Sequence, residues 1–253
     1  MNRPTASHAA FLHPLELTGR ARTHIVELAE PRCLLHREVV APWRALRAAA
    51  ATAGIDLMPG STFRDFEHQL RIWNAKFRGE RALLDPAGRP LEALALDPAA
   101  RVEAILHWSA LPGASRHHWG TEIDVLDAAA LGPGQRPALL PAEYGPGGVF
   151  QRLGAWLDAH AGEFGFYRPY DLDRGGVQPE PWHLSYAAVA TRAEALLTPE
   201  LLAETLAGAE VAGREVILER LAAIHARYVR AVAAPAPAVV AAGQRLNPSP
   251  RYA

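Results

Sequence analysis

The chain has 253 residues, is 49% hydrophobic and 21% charged, and carries a formal net charge of -1. That length allows a real core in one or two domains, and the composition is that of an ordinary soluble globular protein. The near-zero charge gives no electrostatic reason to bind nucleic acid or an anionic membrane, the single cysteine, Cys33, excludes an intrachain disulfide and a thiolate metal cluster, and the lack of an apolar run of about 18 residues excludes a spanning helix.

The N-terminus, MNRPTASHAAFLHPLELTG, has no continuous apolar stretch of the secretory kind. As written the chain reads as cytoplasmic; a periplasmic location would need a different start codon or non-classical export. Residues 1–35 form a lead segment without a clear period. Residues 36–53 space their apolar positions as a helix does and are rich in alanine, and Gly54 closes them. IDLMPGST reads as a short strand and turn. From Arg64 to Phe77, Phe66, Leu70, Trp73 and Phe77 fall on one helical face. Gly and Pro breakers make residues 78–98 a loop region. Residues 99–110 look helical, LPGAS is a turn, and TEIDVLD alternates as a strand with Glu122 and Asp124 on one face. After a further loop, VFQRLGAWLDAHAGEF reads as an amphipathic helix, and FGFYRPY and PWHLSY as strands. Residues 187–230 should form two or three helices, and the Pro/Ala-rich end a loose tail. Helices and short strands without regular β-α-β alternation indicate an α+β fold.

Two segments concentrate the chemistry: Ser115-Arg116-His117-His118-Trp119-Gly120-Thr121-Glu122-Ile123-Asp124, and Glu180-Pro181-Trp182-His183 far downstream. A catalytic zinc needs three protein ligands, an open position for water and a nearby base. His117, Asp124 and His183 supply the ligands, and Glu180 the base. His118 is the alternative first ligand, although the spacing to Asp124 favours His117. Converging these groups requires His183 to lie on a strand next to that of Asp124. No HExxH is present, so the helical zincin arrangement does not apply. The other eight of the eleven histidines read as surface or core residues. Trp119 and Trp182 read as packing walls of the site, with an aromatic shelf for substrate as the alternative for both and Trp182 the substrate-binding candidate.

S-x-H-x-x-G-x-x-x-D followed by E-x-W-H resembles the signature of the M15 metallopeptidases, the D-alanyl-D-alanine carboxypeptidases of the VanY type and related dipeptidases. Ser115, His117, Gly120, Asp124, Glu180, Trp182 and His183 are in register. GSTFRDFEHQ, residues 60–69, resembles a further family segment, S-G-Y-R-S-x-x-x-Q, at Arg64 and Gln69. One position departs: Glu122 stands where the pattern usually has a small residue such as alanine, and its role stays open.

The resemblance covers roughly residues 35–190. It implies a small, mainly antiparallel sheet carrying one zinc ion and flanked by helices. The expected organisation is a lead segment (1–35), a zinc peptidase domain (36–190), C-terminal helices packed on it (191–232) and a loose tail (233–253). It implies hydrolysis of the terminal D-Ala-D-Ala bond of a peptidoglycan peptide or the D-Ala-D-Ala dipeptide, with L,D-carboxypeptidase or endopeptidase specificity as the close alternative. Arg64 takes the family arginine's task of clamping the free C-terminal carboxylate, for which the planar guanidinium fork is suited. Gln69 and Ser115 become candidates for hydrogen-bonding the substrate backbone. A non-catalytic zinc module is the alternative of another class, because the hedgehog signalling domain resembles this fold and metal site.

Overall fold

A computed structural model of the protein describes residues 12–246. A short helix α1 (Pro14–Leu17) leads into a hairpin of β1 (Ile25–Ala29) and β2 (Arg32–His36). Helix α2 (Val40–Thr52), strand β3 (Leu57–Ser61) and helix α3 (Phe66–Phe77) follow, then a two-residue ladder of β4 (Leu83–Leu84) and β5 (Pro90–Leu91), and helix α4 (Pro98–Leu106). The middle of the chain holds β6 (Glu122–Asp127), α5 (Pro141–Tyr144), α6 (Gln151–His160), β7 (Phe166–Tyr167) and β8 (His183–Tyr186). The chain then becomes helical: α7 (Ala187–Leu196), α8 (Pro199–Ala207), α9 (Arg214–Glu219), α10 (Leu221–Ile224) and α11 (Pro237–Leu246). No helix among the described residues is long and apolar enough to cross a membrane.

The central sheet has the order β3-β6-β8-β7 and is antiparallel throughout. Its two faces follow from residue parity. Ile123, Val125, Leu184 and Tyr186 point into an apolar core completed by Trp43 and Leu46 of α2 and Leu153 and Leu157 of α6. Glu122, Asp124, His183 and Ser185 lie on the opposite parity and are buried polar residues. A second core joins Phe66 and Trp73 of α3, Val102 and Ile105 of α4, Trp119 and the apolar faces of α8, α9 and α10. The C-terminal helices therefore share a core with the central part of the chain. Helix α3 begins where Asp65 caps it, its carboxylate accepting from His68 N at 2.7 Å.

Four expectations change. Residues 187–230, expected as two or three helices, hold four, α7 to α10, because Pro199, Gly208 and Gly213 interrupt the run. The lead segment carries a regular hairpin instead of irregular chain. In β1 only Leu28 is buried, so the strand has no buried face to write a period-two pattern. Residues 78–98 include the small β4–β5 ladder. The tail is not loose throughout, because residues 237–246 form α11. Ala242 and Gly243 of that helix are buried, and Tyr186 Oη donates to Gly243 O at 2.7 Å. Residues 1–11 of the lead and 247–253 of the tail lie outside the described residues.

Candidate active site

Sheet register brings the first parts of the site together. Asp124 on β6 is paired with His183 on β8, and Ser61 at the end of β3 is paired with Asp124 on its other side. His117 arrives from a separate 3-10 turn, Arg116–Trp119. That turn ends on Gly120 with φ 67°, in the left-handed region. A Cβ there would stand 2.3 Å from Ile25 Cδ1 and 2.7 Å from His36 N. Gly120 thus serves both the turn and the close approach of the β1–β2 hairpin. The chain after β3 is tied to the same turn: Arg64 N donates to His117 O at 3.2 Å, and His118 Nδ1 contacts Arg64 O at 2.6 Å.

His117, Asp124 and His183 each offer one donor atom, and these three atoms lie within 4.8 Å of one another. His117 Nδ1 is 2.7 Å from Thr62 O, which accepts only, so Nδ1 carries the proton and Nε2 faces Asp124 Oδ2 at 3.5 Å. Burial lowers the His117 pKa to about 3, which keeps the ring neutral. His183 Nδ1 lies 3.2 Å from Asp124 Oδ1, yet that buried oxygen makes no hydrogen bond. Such an oxygen is costly unless a cation completes it. His117 Nε2, one Asp124 carboxylate oxygen and, once its proton is given up, His183 Nδ1 are aimed at a common point with a cleft on the remaining side, and this donor set fits a zinc ion with an open position.

A cleft of about 440 Å³ opens over these donors, lined among others by Arg64, Ser115, Tyr170, Glu180, Trp182 and His183. Glu180 sits just before β8, with Oε2 3.2 Å from His183 Nδ1. Burial pushes its carboxyl above the usual range, against the pull of His183. Arg64 Nη1 donates to Gln69 Oε1 at 2.7 Å and Nη2 to Ser61 Oγ at 3.2 Å. Gln69 differs from expectation: it is fully buried, and its Nε2 donates to Ala110 O at 2.7 Å. Both ends of the amide are occupied, so Gln69 holds Arg64 and does not face substrate. His118 is removed as a ligand for a similar reason, since its Nε2 accepts from Gly113 N at 3.1 Å while Nδ1 serves Arg64 O. Trp182 does wall the cleft, beside Tyr144 at a ring separation of 5.9 Å. Trp119 is instead core, with Nε1 donating to Leu17 O at 3.2 Å.

Comparison with known proteins bears on this arrangement. The sequence profile of the VanY D-alanyl-D-alanine carboxypeptidases matches residues 32–189, well over half of the chain. The chain belongs to the VanY family. Two uncharacterized proteins of Haemophilus influenzae are similar to it. One is 45% identical over 103 residues, covering 40% of this chain and 70% of that protein. The other is 36% identical over 121 residues, covering 47% and 92%. Among solved structures, a mutant of the vancomycin resistance D,D-pentapeptidase VanY in complex with Zn(II) is 23% identical with a TM-score of 0.47, over 70% of this chain and 88% of that one. VanYB in complex with D-Alanine-D-Alanine is 24% identical with a TM-score of 0.46, over 74% and 89%.

Within this VanY-family chain, sequence reasoning missed the groups behind the candidate metal donors. Glu122 is fully buried, with Oε2 2.7 Å from His183 Nε2 and Oε1 accepting from Ser185 Oγ and Thr121 Oγ1, each at 2.8 Å. Burial alone would raise its carboxyl, but Arg116, His183 and Ser185 hold it down at about 2. Arg116 is also buried and donates to Tyr167 Oη at 2.8 Å, Ser185 Oγ at 2.9 Å and Glu194 Oε2 at 2.9 Å. The signal was present in SRHHWGTEID: a second acid at the same strand parity as Asp124, with an arginine six residues before it.

Proposed function

We propose that this chain is a zinc-dependent carboxypeptidase or dipeptidase that hydrolyses the terminal D-Ala-D-Ala bond of peptidoglycan-type peptides. The observation carrying this reading is the convergence of three candidate metal donors, a half-buried carboxylate and an arginine on one cleft. His117 Nε2, Asp124 and His183 Nδ1 would hold a single zinc ion. Bound there, zinc lowers the pKa of water to about 7 and polarises a scissile carbonyl. Glu180 takes the proton from the attacking water and returns it to the leaving amine, a task helped by its raised pKa. Arg64, oriented by Gln69 and Ser61, binds the free C-terminal carboxylate. Ser115 and Trp182 flank the peptide.

The test is product analysis on peptides ending in D-Ala-D-Ala, with and without a chelator. A matched set carries a C-terminal amide, and further sets end in L,D and L,L pairs. Release of D-Ala from the free acid, its loss on chelation and poor turnover of the amide are expected. Chelator-insensitive release would reject the zinc mechanism, and equal turnover of acid and amide would reject the Arg64 clamp. Preference for the L,D set would reassign the stereochemistry, and no release from any peptide would favour a non-catalytic zinc module.

A further inference from the structure

We infer that Glu122 is a positioning residue for the metal centre: it fixes which nitrogen His183 offers, and an ion chain reaching the C-terminal helices holds it in place. The inference rests on the zinc reading of the donor set. It begins with an imidazole that touches three carboxylates. His183 Nε2 faces Glu122 at 2.7 Å, while Nδ1 faces Asp124 and Glu180, each at 3.2 Å. An ionised carboxylate only accepts hydrogen bonds. Nε2, hydrogen-bonded to Glu122 at 2.7 Å, keeps its proton on that side, and Nδ1, looser at 3.2 Å from the two carboxylates nearest the cleft, is the nitrogen that gives up its proton to a metal. A small side chain at position 122 would leave Nε2–H facing a fully buried strand without that acceptor, and nothing would stop the ring from presenting its other edge. A carboxylate behind a ligating histidine fixes tautomer and orientation and makes the ring more basic.

Glu122 is also prevented from becoming a ligand itself. Oε2 is taken by His183, and Oε1 by Thr121 and Ser185. Turning the carboxylate toward the metal would break all three bonds in a site closed to water. Its charge needs a counterion, since a buried carboxylate is expensive alone. Arg116 supplies it, with Nε 3.5 Å from Oε1. Arg116 is in turn shared with Glu194 on α7, at 2.9 Å, and Glu194 pairs with Arg230 at 3.2 Å. The sequence of alternating groups is His183, Glu122, Arg116, Glu194, Arg230. Glu194 and Arg230 both lie beyond residue 189, where the family match ends. Residues beyond the matched region thus support a metal-donor histidine inside it.

The test measures zinc affinity by competition with a chromophoric chelator, and the absorption spectrum of the cobalt(II)-loaded protein, for the wild type, Glu122→Ala, Glu122→Gln and Glu194→Gln. Thermal melting of each metal-free protein establishes folding. Glu122→Ala should lose about 10- to 100-fold in zinc affinity, the range for loss of such a supporting partner, with an altered cobalt spectrum. Glu122→Gln should recover part of this, because its carbonyl can still accept from Nε2–H. Glu194→Gln should shift affinity in the same direction by less. Folded Glu122→Ala with wild-type affinity and spectrum would overturn the positioning role, and wild-type behaviour of Glu194→Gln would overturn the outer part of the chain. If Glu122→Ala does not fold, nitrogen-15 spectra of the zinc-loaded wild type decide the point: a protonated Nε2 with zinc on Nδ1 supports the inference, and zinc on Nε2 overturns it. A wild type that binds no zinc would instead sink the metal reading beneath it.

Discussion

Glu122 and Glu180 approach the same imidazole from opposite edges, and their surroundings give them different duties. Glu122 is saturated by Thr121, Ser185, His183 and Arg116. Glu180 faces the cleft, and burial raises its affinity for a proton. A carboxylate that binds a proton more firmly and can reach substrate is the better general base. Glu180→Ala should therefore lower kcat by at least about 100-fold, the lower end of the range for a positioned base, while the purified protein keeps its zinc by elemental analysis. Retained turnover with zinc bound would remove Glu180 from that role. That Arg64, His117, Asp124, Glu180 and His183 would meet in one cleft was legible in the sequence, because few residue types suit such chemistry, whereas the place of Glu122 was not. Nor was that of Gln69, because spacing cannot say where the two ends of an amide point; Ala110 O and Arg64, one on each end, decide that.

Among elements, the pairing of β6 with β8 was legible because both are short runs with strong parity. Their register, Asp124 opposite His183, follows from burying Ile123, Val125, Leu184 and Tyr186 together. A one-residue slip of either strand would turn its metal-donor candidate, Asp124 or His183, into the apolar core. The β1–β2 hairpin and α11 were not legible, because their stability comes from partners distant in sequence. The hairpin is pinned by His36 N donating to Gly120 O at 2.8 Å, and α11 by the contact of Gly243 with Tyr186. Gly120 joins these scales, since it ends the turn that presents His117 and lets the hairpin lie against it. Gly120→Ala should destabilise the protein by more than the roughly 1–2 kcal/mol of a left-handed alanine, because Ile25 and the His36 backbone must also move. Zinc affinity should fall with it as the His117 turn shifts. Chemical denaturation and zinc titration of the variant check both effects, and an unchanged midpoint would show that the hairpin yields freely.

At the scale of the whole molecule, the site and its supports bury His24, His36, His117 and His118 in neutral form. Burial, as the largest cause, lowers His36 and His117 to about 3 and His118 to about 4, and lowers His24 as well. The unfolded chain takes up these four protons near the ordinary value of about 6.5. Between about pH 6.5 and 4.5 the unfolded state thus binds more protons than the native state, so stability falls as pH falls. His183 behaves oppositely in the metal-free protein. Burial disfavours its charge, but the three carboxylates around it, Asp124, Glu122 and Glu180, raise its pKa well above 6.5. It is charged in both states at lower pH and adds no slope there; above 6.5 its contribution is lost as pH rises through the raised value. Glu180, raised by burial, keeps a native-state proton above 4.5 and offsets at most one of the four. With zinc removed, stability from denaturant titrations should climb between pH 5 and 6 by more than the about 1.4 kcal/mol per pH unit that one proton supplies. Zinc added back should stabilise the protein more at pH 7.5 than at 5.5, because His183 Nδ1 must lose its proton to bind. A flat metal-free profile would mean that these histidines become protonated without unfolding, and that the polar face of the sheet admits water that its packing excludes.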